Sequence, residues 1–288
     1  MLDFLQVVVD GLLFGATYAL IGIGFTLVFG VMHKINMTYA AASIGGAYLG
    51  LLVLKVMAGA PAWLVFLCGF LGGGALGYVV YLACFHFIPY SSPLATLMST
   101  VGMLLLIDEI IVHATEGRPL NYPAMFDDVM LRAGEFSLRG DLLLVFGVSV
   151  ACMAGLLVLL YRTKLGLATR AVSQQPTAAQ LCGIRIARVN AVTFVITGLL
   201  GGIAGALIGA SVGTLSPLLT LPLTVKGLIV TVIGGLGNVP GAIIAGLLVG
   251  AFENVFQLWR GVTERDLYVM LLLFVFLVFR PGGLSSKN

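Results

Sequence analysis

The chain is predicted to be all-α, a polytopic integral membrane helix bundle, and three features lead there. Of its 288 residues, 60% are hydrophobic and only 9% charged, whereas a soluble domain carries about 25% charged residues. Its mean hydropathy is +1.10. The apolar residues gather into runs close to the roughly 20 residues that cross a hydrocarbon core. The 38 glycines lie among Leu, Val, Ile and Phe, a composition that suits closely packed membrane helices, where small residues let backbones approach.

Nine hydrophobic segments follow in order: 4–31, 37–57, 62–87, 93–114, 141–161, 189–211, 218–236, 239–258 and 266–280. The first and third are long enough to tilt. The second, seventh and ninth are short or broken by glycine, so the expected number of crossings is eight to nine. No basic region opens the chain and no A-x-A site stands out, so 5–31 reads as a retained first helix rather than a removed signal. The whole chain, 1–288, reads as one transmembrane domain.

Basic residues in short loops set orientation. With the 162–190 loop placed in the cytoplasm, Lys34, Arg162, Lys164, Arg170, Arg185, Arg188, Arg280 and Lys287 fall inside. Asp3, Glu116, Asp127, Asp128, Glu135, Asp141, Glu264 and Asp266 fall outside. The N-terminus is then periplasmic and the C-terminus cytoplasmic. The longest periplasmic loop is 115–140, a solvated connector, a lid or a docking surface.

The stretch 161–190, YRTKLGLATRAVSQQPTAAQLCGIRIARVN, has five basic residues and no acid. Its apolar flanks require it to sit in water between two membrane helices. Pro176 suits a first helical turn and Gly183 the residue past a helix end. A membrane protein holding one compact helix outside the bilayer offers a handle to another protein.

Several chemistries are excluded. GGLGNVPG at 234–241 has glycines but no P-loop lysine. There is no H-E-x-x-H, no paired-carboxylate helix and no plausible Ser/His pair. His33, His86 and His113 are scattered and read as interfacial anchors. Cys68, Cys84, Cys152 and Cys182 show no metal spacing, so neither a disulfide nor a metal site is expected. The chain is not expected to be an enzyme or to bind nucleic acid; its surroundings are lipid. Lys226 and Glu253 lie deep in consecutive antiparallel segments, and Asp108 and Glu109 lie toward the outer end of the fourth. Buried membrane charges point to function. Lys226 can pair with Glu253, or it can line a water-filled vestibule or snorkel. So few intramembrane carboxylates argue against ion coupling. The chain reads as a conduit whose engine attaches elsewhere.

Four stretches carry a family resemblance: GLLFGATYALIGIGFTLVFGVMHKIN (11–36), RAVSQQPTAAQLCGIRIARVNAVTFVITGLLGGIAGAL (170–207), VIGGLGNVPGAIIAGLLVG (232–250) and FRPGGL (279–284). In this order the chain resembles the permease subunits of branched-chain amino acid ABC importers of the bacterial inner membrane. The resemblance implies a second homologous permease, two cytoplasmic ATP-binding subunits and a periplasmic substrate-binding protein. ATP and Mg would bind on the partner ATPases, and this chain would bind no cofactor. The 170–183 helix would couple to an ATPase, with Gln175, Pro176 and Gly183 shaping it. Leu181 and Ala178 or Ala179 would supply apolar contact, and Arg170 and Arg185 a polar rim. The alternative is a basic loop beside anionic lipid.

The resemblance has departures. After Ile35-Asn36 the family usually continues with Phe, a small residue and His-Gly, where this chain has Met37-Thr38-Tyr39-Ala40-Ala41. Acidic residues common in the coupling helix are replaced by Gln175 and Thr177. Two glycine-rich breaks near the inner face would flank a gate, with Asn36, Thr38, Tyr39, Gly235, Gly237, Asn238 and Pro240 nearest the path. Asn238 serves equally well as a helix cap. The pattern around the breaks suggests a remote duplication of halves 1–145 and 146–288. The expected function is passage of a small polar solute, a branched-chain or other neutral amino acid, from receptor to cytoplasm. The alternatives are an ion-coupled carrier for a small organic solute and an anchoring subunit.

Overall fold

The structure, a computed structural model, describes residues 2–57, 60–88, 92–123, 130–133, 136–261, 264–280 and 283–284. Asp127, Asp128, Glu135 and Lys287, which the sequence assigned to sides, lie outside the described residues, as do Pro281 and Gly282 of the FRPGGL ending.

Helix α1 (Leu2–Met32) is the longest element. It stops where His33 takes a left-handed backbone, φ +54°. Asn36 then accepts a hydrogen bond from the Thr38 backbone N–H at 3.1 Å, which turns the chain into α2 (Tyr39–Val56). Helix α3 (Ala62–Tyr81) starts behind Pro61 and runs on through a π-helical turn, Leu82–His86. Helix α4 (Pro93–Thr115) has proline in its first turn and ends at Glu116, φ +55°. Strands β1 (Leu120–Asn121), β2 (Met130–Ala133) and β3 (Phe136–Arg139) follow, β2 and β3 forming an antiparallel hairpin.

Helix α5 (Gly140–Arg162) leads to α6 (Lys164–Gln174), which Thr163 caps by accepting from Gly166 N–H at 3.1 Å. Then come α7 (Pro176–Leu181), α8 (Ile186–Val212) and β4 (Thr214–Leu215). A 3₁₀ turn at Pro217–Leu219 opens α9 (Thr220–Gly234), followed by α10 (Val239–Arg260) and α11 (Arg265–Phe279). The nine predicted segments are α1–α5 and α8–α11. Among the described residues, seven helices are long and apolar enough to cross a membrane, while α2 and α11 are shorter apolar helices. Helices close their own backbone hydrogen bonds, which a hydrocarbon solvent demands.

Glycine-to-glycine contact sets the packing. On α1, Gly11 and Gly15 lie against Gly246 and Gly250 of α10; a Cβ on Gly15 would sit 2.9 Å from the Gly246 carbonyl oxygen. On α3, Gly69, Gly73 and Gly77 lie against Gly198 and Gly202 of α8; a Cβ on Gly73 would sit 2.6 Å from Gly202 Cα. Lipid tails are as apolar as leucine, so this backbone approach, with its dispersion contacts, holds the bundle. The α1 span is the most enclosed, 83% buried.

The packing is reciprocal between α1–α4 and α8–α11. The first helix of each unit lies on the third of the other, α1 on α10 and α8 on α3, and the second of each touches the first of the other. Between them lies the segment α5–α7.

The helix ends sort into two faces. β1 pairs with β4, Leu120 opposite Leu215, so the ends of α4 and α8 share one face. The Leu284 N–H donates to the Ile233 carbonyl at 2.8 Å, so the chain beyond α11 returns to the end of α9 on the opposite face. With α6 and α7, that second face carries Lys34, Arg162, Lys164, Arg170, Arg185, Arg188 and Arg280, while Glu116, Asp141, Glu264 and Asp266 lie at the first.

Candidate functional site: a buried ion cluster and the basic face

Lys226 is the centre of a buried polar cluster inside the bundle. Its Nζ donates to Glu253 Oε1 at 2.8 Å and to the Tyr18 hydroxyl at 3.3 Å. The Tyr18 hydroxyl in turn donates to Glu253 Oε1 at 3.1 Å. Asp266 Oδ1 stands 2.9 Å from the same Nζ as an ion pair. Four helices, α1, α9, α10 and α11, thus meet at one ammonium. The side chains of Lys226 and Glu253 are 6% and 2% exposed, while that of Asp266 is 48% exposed. Charge at membrane depth survives only when paired this way.

Lys226 lies six residues into α9, about 9 Å below the face opposite the basic one at 1.5 Å per residue. Beside it, a cleft of about 220 Å³ opens between α9 and α11, with Lys226 and Asp266 among otherwise apolar walls. Sequence reasoning found Lys226 and Glu253 but missed Tyr18 and Asp266. Asp266 was read as a loop acid, although it stands in the first turn of α11. Tyr18 gave no signal within an apolar run. Asp108 serves elsewhere, accepting from Thr220 Oγ1 at 2.9 Å and so tying α4 to α9, while Glu109 is exposed.

The basic face holds the other predicted residues. The 170–183 stretch is not one helix: α6 ends at Gln174, and Gln175 takes an extended backbone, φ −154°. Proline cannot continue a helix from the preceding residue, which is pushed extended. Pro176 is the first residue of α7, and Gly183 follows its end at φ +83°. Leu181 is 86% exposed and Ala178 is exposed, but Ala179 is turned into the core at 5%. Ala179 is therefore withdrawn from the surface expected to make apolar contact. Arg185 is exposed at the start of α8, and the exposed Arg170 holds its guanidinium 5.3 Å from the Tyr161 ring centre.

The residues expected at the gate divide into two groups. Asn36, Thr38 and Tyr39 are all buried. Thr38 Oγ1 donates to the Thr100 carbonyl of α4 at 2.7 Å, and the Tyr39 ring meets Phe25 edge-on at 5.1 Å. Lys34 is buried nearby, donating to Thr96 Oγ1 at 2.9 Å, and burial lowers the pKa of its ammonium from the usual lysine value. The second group belongs to the α9–α10 break. Gly235 and Gly237 have φ +95° and +85°, and Asn238 caps α10 by accepting from Gly241 N–H at 3.4 Å. Gly237, Asn238 and Pro240 border a cleft of about 160 Å³ with Arg170 and Ser173 of α6 and Gly30 of α1. The second break and α6 thus share one cleft, while the first break is tied onto α4.

His33 lies near the Phe29 ring and His86 against Tyr81 and Phe87. Cys68, Cys84, Cys152 and Cys182 are free thiols, and only Cys182 is exposed. Among the described residues no group of His, Cys, Asp and Glu is arranged to hold a metal.

The family described as branched-chain amino acid transport system / permease component matches residues 7–279. The chain belongs to that family. It is 28% identical to the high-affinity branched-chain amino acid transport system permease protein LivH of Salmonella typhimurium, over 99% of this chain and 96% of that protein. It is 29% identical to LivH of Escherichia coli K12 and to BraD of Pseudomonas aeruginosa, each with the same coverage. PsaBC from Streptococcus pneumoniae, solved with a Fab, shares the fold at a TM-score of 0.51 and 12% identity, over 96% of this chain and 90% of that one. The chain is a multi-pass permease component of the bacterial inner membrane.

Proposed function

We propose that this permease imports a branched-chain or other neutral amino acid, delivered by a periplasmic receptor and driven by two cytoplasmic ATPases, alongside a second homologous permease. The relatives are named for branched-chain amino acid transport. ATP and Mg act on the partner subunits. The basic face is cytoplasmic, as the distribution of Lys and Arg favours. The N-terminus then lies in the periplasm and the C-terminus in the cytoplasm.

One observation carries the coupling: α6 and the α9–α10 break line the same cleft. Closure of an ATPase against α7 moves α6, and α6 lines one cleft with the glycine break between the membrane segments α9 and α10. Packed helices transmit such a shift as a rigid-body step. Leu181 and Ala178 give the rod an apolar tip, Gln175, Pro176 and Gly183 hold its shape, and Arg170 and Arg185 flank it. Gly235, Gly237, Asn238 and Pro240 form the moving part of the inner gate, with Asn36, Thr38 and Tyr39 as its fixed side.

Reconstitution in proteoliposomes tests this. Uptake is expected only with ATPases, receptor and ATP together, and Leu181→Asp is expected to reduce ATP-driven uptake about tenfold or more through loss of the apolar seat. Uptake by this chain alone, driven by an ion gradient, overturns the proposal.

A further inference from the structure

We propose that the cleft between α9 and α11 receives the zwitterionic head of an α-amino acid, its carboxylate on Lys226 and its ammonium on Asp266. The inference rests on the proposed amino acid import and adds where the solute binds.

The cleft pairs two opposite charges with a hydrocarbon wall. Lys226 and Asp266 border it at 2.9 Å from each other, and Val225, Ile229, Val269 and Met270 line it. An amino acid needs that combination: one cation, one anion, and apolar room for its side chain. The charges also differ in depth. The Lys226 side chain is 6% exposed and is fixed from behind by Glu253 and Tyr18, while that of Asp266 is 48% exposed. A solute arriving from the face opposite the basic one therefore meets the acid first and the ammonium at the floor.

The charge count narrows the ligand. Lys226, Glu253 and Asp266 are one base and two acids, so a ligand carrying only a carboxylate adds to an excess of negative charge. A zwitterion adds none. It exchanges the Lys226–Asp266 contact for two contacts of the same kind, so the electrostatic gain is small and the aliphatic side chain supplies the net affinity. Weak binding suits a site that must release its solute onward. The cluster lies about 9 Å below the start of α9, on the face where the receptor would deliver.

The test uses the assembled transporter in nanodiscs, without receptor, carrying Met270→Cys with the four native cysteines replaced by alanine. Met270 borders the cleft and is 50% exposed. Maleimide reaction at position 270 is timed with leucine, leucine amide or 4-methylvalerate. At about ten times its Kd, leucine is expected to slow labelling about tenfold. Leucine amide protects less and 4-methylvalerate does not protect. Adding Asp266→Asn removes the protection by leucine while the complex still elutes intact. Leu221→Cys, also on the cleft rim and 56% exposed, serves if Met270→Cys disturbs assembly. Labelling unaffected by leucine in a transporter that still imports leucine overturns the site and leaves the function standing. Equal protection by 4-methylvalerate, or protection that survives Asp266→Asn, also overturns it. A wild-type transporter that imports no amino acid overturns the function itself.

Discussion

A single ammonium, Lys226, joins four helices, and its neighbours are unequal. Glu253 is enclosed and forms its ion pair with Lys226, while Asp266 is half exposed. Lys226→Met strands Glu253, and removing one partner of a buried pair costs about 3–5 kcal/mol. Asp266→Asn is expected to cost about 1 kcal/mol or less, as for solvent-reached pairs. Thermal unfolding of the purified complex separates the two; equal losses would contradict the ranking. The sequence carried half of this cluster. Lys226 and Glu253 stood out because charge is rare in apolar runs. Tyr18 and Asp266 did not, since an aromatic residue in a membrane helix and an acid at a helix start are both ordinary. Which hydroxyl and which terminal acid reach the ammonium is decided by helix rotation, which no local pattern encodes.

Helix pairs form the next level, and glycine sets their spacing. Gly202 of α8 packs on Gly69 and Gly73 of α3 so closely that any Cβ there meets backbone. Gly202→Leu is expected to separate the two helices and abolish assembly, as seen by loss of monodisperse complex in size exclusion. Gly155→Ala on α5, where a Cβ meets nothing within 4 Å, is expected to leave assembly unchanged. The nine segments were readable because each nears the length of a membrane crossing. The break between α6 and α7 was half readable. Pro176 and Gly183 marked the ends of α7, but 170–174 was joined to it across Gln175, although proline restricts the residue before it. The inward turn of Ala179 needed the tertiary structure, because a six-residue helix shows too little periodicity to say which alanine faces in.

For the whole molecule, the reciprocal packing of α1–α4 with α8–α11 is the arrangement that a duplication, which the sequence suggests at 1–145 and 146–288, would produce. The paired units are shorter than those halves, and α5–α7 stands between them with the rod at its end. Sidedness has a direct check. Cys182, at the end of α7, is the one exposed thiol among the free cysteines. A membrane-impermeant maleimide is expected to label it in inside-out vesicles and not in right-side-out ones; labelling of right-side-out vesicles would invert the orientation.

By itself the sequence determined the solvent, the number of apolar helices, the distribution of charge between their ends and the presence of a short external helix. Each of these follows from composition, run length or turn chemistry, which act over a few neighbouring residues. Only the tertiary structure decided that Tyr18 and Asp266 complete the ion cluster, that the second glycine break shares a cleft with α6, and that α1 seats on α10. Those are contacts between residues far apart in the chain. They depend on how helices rotate and approach, and glycine backbones meeting in lipid set that geometry.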